Sequence, residues 1–182
     1  MQRLAIYLAY LAAAVAAAGL FGALHDQISY TVSHEYFTRF KFHQFHLLNT
    51  AVPERFRAAQ VGFLASWWMG VPLGLLTGAA GFIQPTVRHM RRALAWSLLV
   101  VVGCTSMFAL GGLVDGLWQT QTLNLSDYAG WFIPQGLEQP RRFICVGYMH
   151  NAAYLGGLVS IPSGWVFQLV YRLRLTTKAA FG

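Results

Sequence analysis

LAIYLAYLAAAVAAAGLFGAL, residues 4–24, carries no charged side chain. A helix needs about 20 apolar residues to cross a hydrocarbon core of about 30 Å. Inside lipid the backbone amides must be bonded within the segment, so such a run is a helix. Two more uncharged runs occupy residues 61–83 and 93–114, and a fourth apolar segment lies within residues 143–171. The composition agrees: 56% of the 182 residues are hydrophobic and 10% charged, against about a quarter charged in a soluble domain. The expected fold is an all-α integral membrane protein, a single domain of residues 1–182. Its transmembrane helices are expected at about 4–24, 53–83, 93–114 and 140–172, with outer segments at 25–52 and 115–139.

Arg3 and the small-residue run AAAVAAAG give the first segment some likeness to a secretory signal. Its apolar length exceeds the roughly 7–15 residues of a signal core, so a retained helix is expected. Arg3, Arg88, Arg91, Arg92, Arg172, Arg174 and Lys178 fall on one side of the four spans. Arg39, Lys41, Arg55, Arg57, Arg141 and Arg142 are spread over a longer stretch of chain on the other. The denser side is the cytoplasmic one by the positive-inside rule, which places both termini in the cytoplasm of a bacterial-type inner membrane. The net charge of +7 is then a topology signal, and nucleic acid is not an expected partner. The expected partners are the lipid bilayer and a membrane-protein partner or a second copy of the chain. Cys104 and Cys145 are expected to be free thiols.

All six acids lie on the outer side, as do His25, His34, His43, His46 and His150. The segment HDQISYTVSHEYFTRFKFHQFH, residues 25–46, concentrates four histidines and two acids directly after the first apolar run. Within it Ile28, Tyr30 and Val32 alternate with Ser29, Thr31 and Ser33, a strand pattern. WQTQTLNLS, residues 118–126, alternates less cleanly, and the two predict a small two-strand cap. Ser33 suits a helix N-cap, with Glu35 in the favoured first turn. Winding residues 35–48 as an α-helix puts Glu35, Arg39, His43 and His46 on a wet face and Tyr36, Phe37, Phe40, Leu47 and Leu48 on a dry one. This is the pattern of a short interfacial amphipathic helix. Lys41 falls near the dry face and Phe42 near the wet one.

His25 and Asp26 close the first apolar segment, Asp115 closes the third, and His150 lies inside the fourth. Pro140 suits the first position of that helix. Ionisable groups at membrane depth are costly and face the bundle interior or a wet cavity. Imidazole and carboxylate are ligands that zinc, iron and copper all accept. The candidate metal ligands are therefore His25, Asp26, His34, Glu35, His43, His46, Asp115 and His150, supported by Arg39, Asn151 and Tyr154. Without a ligand, the same groups make a hydrogen-bonded network between helices. Ser66, Gly70, Gly74 and Gly78 form a small-residue stripe for close helix packing. Gly103, Met107 and Gly111 predict a similar face on the third helix, and Pro72 predicts a bend in the second.

The chain has no phosphate-binding glycine loop, CxxC, CxxCH, HExxH or GxSxG motif. The leading reading is an outer-face metal or related cofactor site, as in a metal-dependent enzyme acting on a lipid-soluble or periplasmic substrate. The alternatives are a bis-histidine haem b electron carrier and a non-catalytic subunit of a larger membrane complex. With Cys104 and Cys145 replaced by serine, a cysteine at Asn124 should react with an impermeant maleimide from outside the cell. One at Arg88 should react only after lysis, and the opposite labelling pattern would invert the topology.

Overall fold

The computed structural model of the chain describes residues 1–180 and their side chains through Thr177. The Lys178 side chain, counted above among the inner cations, lies outside the described residues. Helix α1 runs Gln2–Val32, followed by two short pieces, α2 (His34–Tyr36) and α3 (Phe42–Gln44), joined by a π-helical turn, Phe37–Lys41. The next long segment is α4 (Glu54–Ser66), a 3-10 turn at Trp67–Met69, α5 (Gly70–Ala79) and a second 3-10 turn at Ala80–Ile83. Helices α6 (Val87–Gln119) and α7 (Pro140–Ala180) complete the chain, with a 3-10 turn, Leu125–Tyr128, between them. Four helical segments, Gln2–Val32, Glu54–Ile83, Val87–Gln119 and Pro140–Thr177, are long and apolar enough to cross a membrane. Leu4, Leu20, Leu99, Met107, Leu158 and Val166 are among the large apolar side chains on the outside of the bundle.

The alternating stretches form no strands; none occurs among the described residues. Residues 28–32 continue α1, because their burial follows the helical period: Gly22, His25, Asp26 and Ser29 face inward while Ile28 is exposed. The hydroxyls that suggested a strand are satisfied along the helix instead. Ser29 Oγ donates to His25 O at 3.1 Å and Thr31 Oγ1 to Gln27 O at 2.9 Å. Likewise Trp118 and Gln119 end α6, and Leu125 opens a 3-10 turn. Extended backbone returns at Ser33, where Oγ accepts from Tyr36 N at 3.3 Å and starts α2.

Two close pairs build the bundle, α1 against α4–α5 and α6 against α7. Small residues set the first pair. A Cβ on Gly62 would lie 2.0 Å from Gly22 O, one on Gly70 2.4 Å from Val15 Cα, and one on Gly78 2.8 Å from the Tyr7 ring. Ser66 lies against Gly22, and Gly74 against Ala14 and Leu11. The 3-10 turn at Trp67–Met69 falls where Pro72 deprives the Trp68 carbonyl of its helical donor. Gly112 and Gly116 bring α6 onto Tyr148, Ala152 and Cys145 of α7. The face predicted from Gly103, Met107 and Gly111 is not a packing face. A Cβ added at either glycine would meet nothing from another part of the chain within 4 Å, and Met107 is 75% exposed. Gly112 lies one residue, about 100°, further round the helix, and that rotation brings the inward face to α7. Cys104 and Cys145 are free thiols.

Because Gly62 and Gly22 are in backbone contact, Gly62→Ala should cost about 1–3 kcal/mol through forced separation of the helices. Thermal unfolding in detergent should show that loss, whereas Gly103→Ala should leave the midpoint unchanged or raise it slightly.

Candidate functional site

Helix α1 delivers His25 and Asp26 to the bundle interior, and α7 brings His150 to meet them. His25 Nδ1 and His150 Nε2 each lie 3.1 Å from Asp26 Oδ1, and Ser29 Oγ approaches the same oxygen at 3.3 Å. Asp26 is 2% exposed and His25 7%. Ligand atoms of His25, Asp26 and His150 lie within 4.8 Å of one another, a group that could hold a metal ion. The two imidazole rings meet edge to face at a centroid distance of 4.7 Å. An iron bound axially by both rings would hold them further apart and opposed, so a haem does not fit between them.

One contact fixes the chemistry of His150. Its Nδ1 lies 2.9 Å from Val146 O, and a carbonyl oxygen only accepts, so Nδ1 carries the hydrogen. In the neutral ring Nε2 then presents a lone pair to a carboxylate oxygen. Two acceptors at 3.1 Å attract only with a cation between them, either a second ring proton or a metal ion. Donating one ring N–H to a backbone carbonyl while the other nitrogen faces outward is also how metal-ligating histidines are oriented. His25 is less complete: with Nδ1 turned to Asp26, its buried Nε2 has no hydrogen-bond partner.

An aromatic wall stands over the cluster. Tyr36 stacks on His150 at 5.0 Å and meets Phe143 at 4.9 Å. Tyr36, Phe37 and Phe42 are buried with Ala58, Val61, Phe143 and Val146. Residues 34–44 therefore turn their aromatic face to the bundle, not to lipid. The helix also ends earlier than the winding of residues 35–48 assumed. Leu47 N donates to Phe42 O at 2.9 Å and His46 N to His43 O at 3.2 Å, around a left-handed His46 with φ of 55°. This is the hydrogen-bond pattern of a Schellman C-cap.

The structure does not bring the remaining candidate ligands to the cluster. His34, His43, His46 and Arg39 are exposed on residues 34–46. Asp115 is exposed and accepts from Gln119 Nε2 at 3.2 Å. Asn151 is exposed too. The carboxylate of Glu35 is buried and committed elsewhere. It accepts from Glu138 N and Gln139 N, both at 2.9 Å, and so caps the start of α7 beside Pro140, which has no N–H to offer.

Between the two helix pairs lies a cavity of about 90 Å³, with His25, Asp26, Lys41, His150 and Tyr154 at one end and Tyr10 and Thr77 at the other. Lys41 and Tyr36 are site residues that the sequence reading did not select. The π-turn carries Lys41 to the cavity, and a lone cation on an aromatic helix face was the signal that pointed there. Burial pushes the Lys41 ammonium below its usual range, with Asp26 opposing. Burial, reinforced by Asp26 and Tyr154, holds the Tyr36 hydroxyl well above its usual range, so it stays a neutral phenol.

Compared with known protein families, curated proteins and solved structures, the chain matches none. The Glu35 cap gives a direct test: Glu35→Ala should lower stability by about 1–2 kcal/mol, since it removes the charged acceptor of two backbone N–H groups at the start of α7. His34→Ala, one residue away and exposed, should leave the unfolding midpoint in place.

Proposed function

We propose that the protein is a membrane-embedded metalloprotein. In this reading His25, Asp26 and His150 would hold one divalent transition metal of zinc's kind where they line the end of the cavity. The observation that carries the reading is the His150 geometry: Nε2 and a carboxylate oxygen of Asp26 lie 3.1 Å apart, and Nδ1 is already spent on Val146 O. Zinc, iron and copper each suit two imidazoles and a carboxylate. Three protein ligands with one open position is the pattern of a catalytic metal site. When bound, such an ion polarises an oxygen of a bound molecule or activates a water.

The chain's own residues would do the rest. Val146 O and the Tyr36 ring orient His150, Ser29 supports Asp26, and the aromatic wall limits water at the cluster. Lys41 offers a positive charge at the same end of the cavity. With both termini cytoplasmic, as the cation distribution favours, the centre sits in the periplasmic half of the membrane. A molecule reaches it from the periplasm or laterally from lipid.

Elemental analysis of detergent-purified, untagged protein dialysed against micromolar zinc should find about one equivalent of metal. Asp26→Asn and His150→Ala should lose it, while His89→Ala and the His34→Ala, His43→Ala, His46→Ala triple variant should keep it. Folded wild type without metal, destabilised by Asp26→Asn, would instead identify a proton-bridged tie between α1 and α7.

A further inference from the structure

The cavity is long. On α1 its wall runs from Tyr10 to His25, and those 15 residues span about 22 Å at the helical rise. That is more than one leaflet of a hydrocarbon core about 30 Å thick. The lining is chiefly apolar over that length. The middle of the wall is alanine, glycine and aliphatic, Ala14, Ala18, Ala65 and Gly157 among it. Ser66 and Thr105 are the polar side chains along that stretch, and Thr105 Oγ1 already donates to Val101 O at 2.9 Å, which leaves few partners for a continuous water column. At the far end Tyr10 OH and Thr77 Oγ1 bond each other at 2.9 Å, so those polar groups are already engaged.

The Lys41 end is different. Lys41 Nζ is held by Gln44 Oε1 at 2.9 Å and stands 4.6 Å from the Phe40 ring centroid. No carboxylate pairs with it among the described residues. His25 Nε2, buried in the same wall, has no partner. A cation without an acid and a nitrogen without a partner stand where the apolar slot begins.

We propose that the cavity binds a single-chain amphiphile with an acidic head, a long-chain carboxylic acid. Its carboxyl group sits at Lys41 and His25 and its tail runs along α1 toward Tyr10. The inference deepens the proposed function by naming the class of molecule in the cavity beside the metal centre. The slot and Lys41 carry it independently of the ion.

The probe is carboxyl-labelled palmitate, titrated by NMR into the full chain in lipid nanodiscs, with zinc content measured on the same samples. One saturable site per chain is expected. Lys41→Gln should weaken it at least tenfold. Gly157→Leu should abolish it; its new Cβ would meet nothing closer than Met69 Cε at 3.9 Å, so the added side chain fills the slot with little strain at the backbone. Ala65→Leu serves as a second block, and circular dichroism confirms that each variant is folded. Non-saturable uptake, binding unchanged by Lys41→Gln and both blocks, or 1-hexadecanol competing as well as palmitate would each overturn the proposal. Palmitate bound without zinc would sink the metal reading and leave this one standing. Zinc bound without palmitate would do the reverse.

Discussion

A carboxylate buried on a helix long and apolar enough to cross a membrane must find a cation or hydrogen-bond donors, and Asp26 finds its partners on its own helix and on α7. Its Oδ1 faces His25, Ser29 and His150 at once. Contacts between α1 and α7 are otherwise few, because each packs chiefly with another helix. The carboxylate thus joins two helix pairs that glycine contacts have built separately. The pairs also meet through Gln84 Nε2 donating to Gln168 O, Gln168 Nε2 donating to Thr77 O, Trp165 Nε1 donating to Leu76 O and the Tyr10–Leu94–Met90 cluster, and the cavity is the space left between these contacts and the polar knot.

The outer segment turns this knot into a site. Arg57 is buried, donates to Leu47 O at 3.2 Å and stacks over Phe42 at 4.3 Å. Glu54 accepts from Tyr30 and lies 3.7 Å from Arg57. These contacts pin residues 34–47 between α1 and α4. The aromatic wall then excludes water from one side of the histidine–aspartate group, while Lys41 stays at the cavity. Electrostatic interactions strengthen in such surroundings, and so does the cost of leaving any member unpaired.

Much of this was legible from residue order alone. Long uncharged runs identify the helices because lipid permits little else, and His25, Asp26 and His150 stood out as titratable groups at membrane depth. What escaped was local geometry that periodicity does not encode. Six alternating residues after Gln27 fit a strand, yet Ser29 and Thr31 close their hydrogen bonds within a helix. The π-turn at Phe37–Lys41 adds a residue to one turn, so constant 100° winding misplaced Phe42, which is buried. Glu35 looked like a ligand because its partners are backbone amides more than a hundred residues away, which leave no trace in side-chain chemistry.

That separation also bears on how the chain is made. Glu35 emerges 103 residues before the first amide it caps, an interval of roughly 5–20 s at ordinary synthesis rates. Throughout it the carboxylate has no protein partner and must remain hydrated, which keeps residues 34–44 from settling into their apolar bed. Closure over the histidine–aspartate group therefore waits for the last helix, which also supplies His150, so the group and its aromatic cover are completed together.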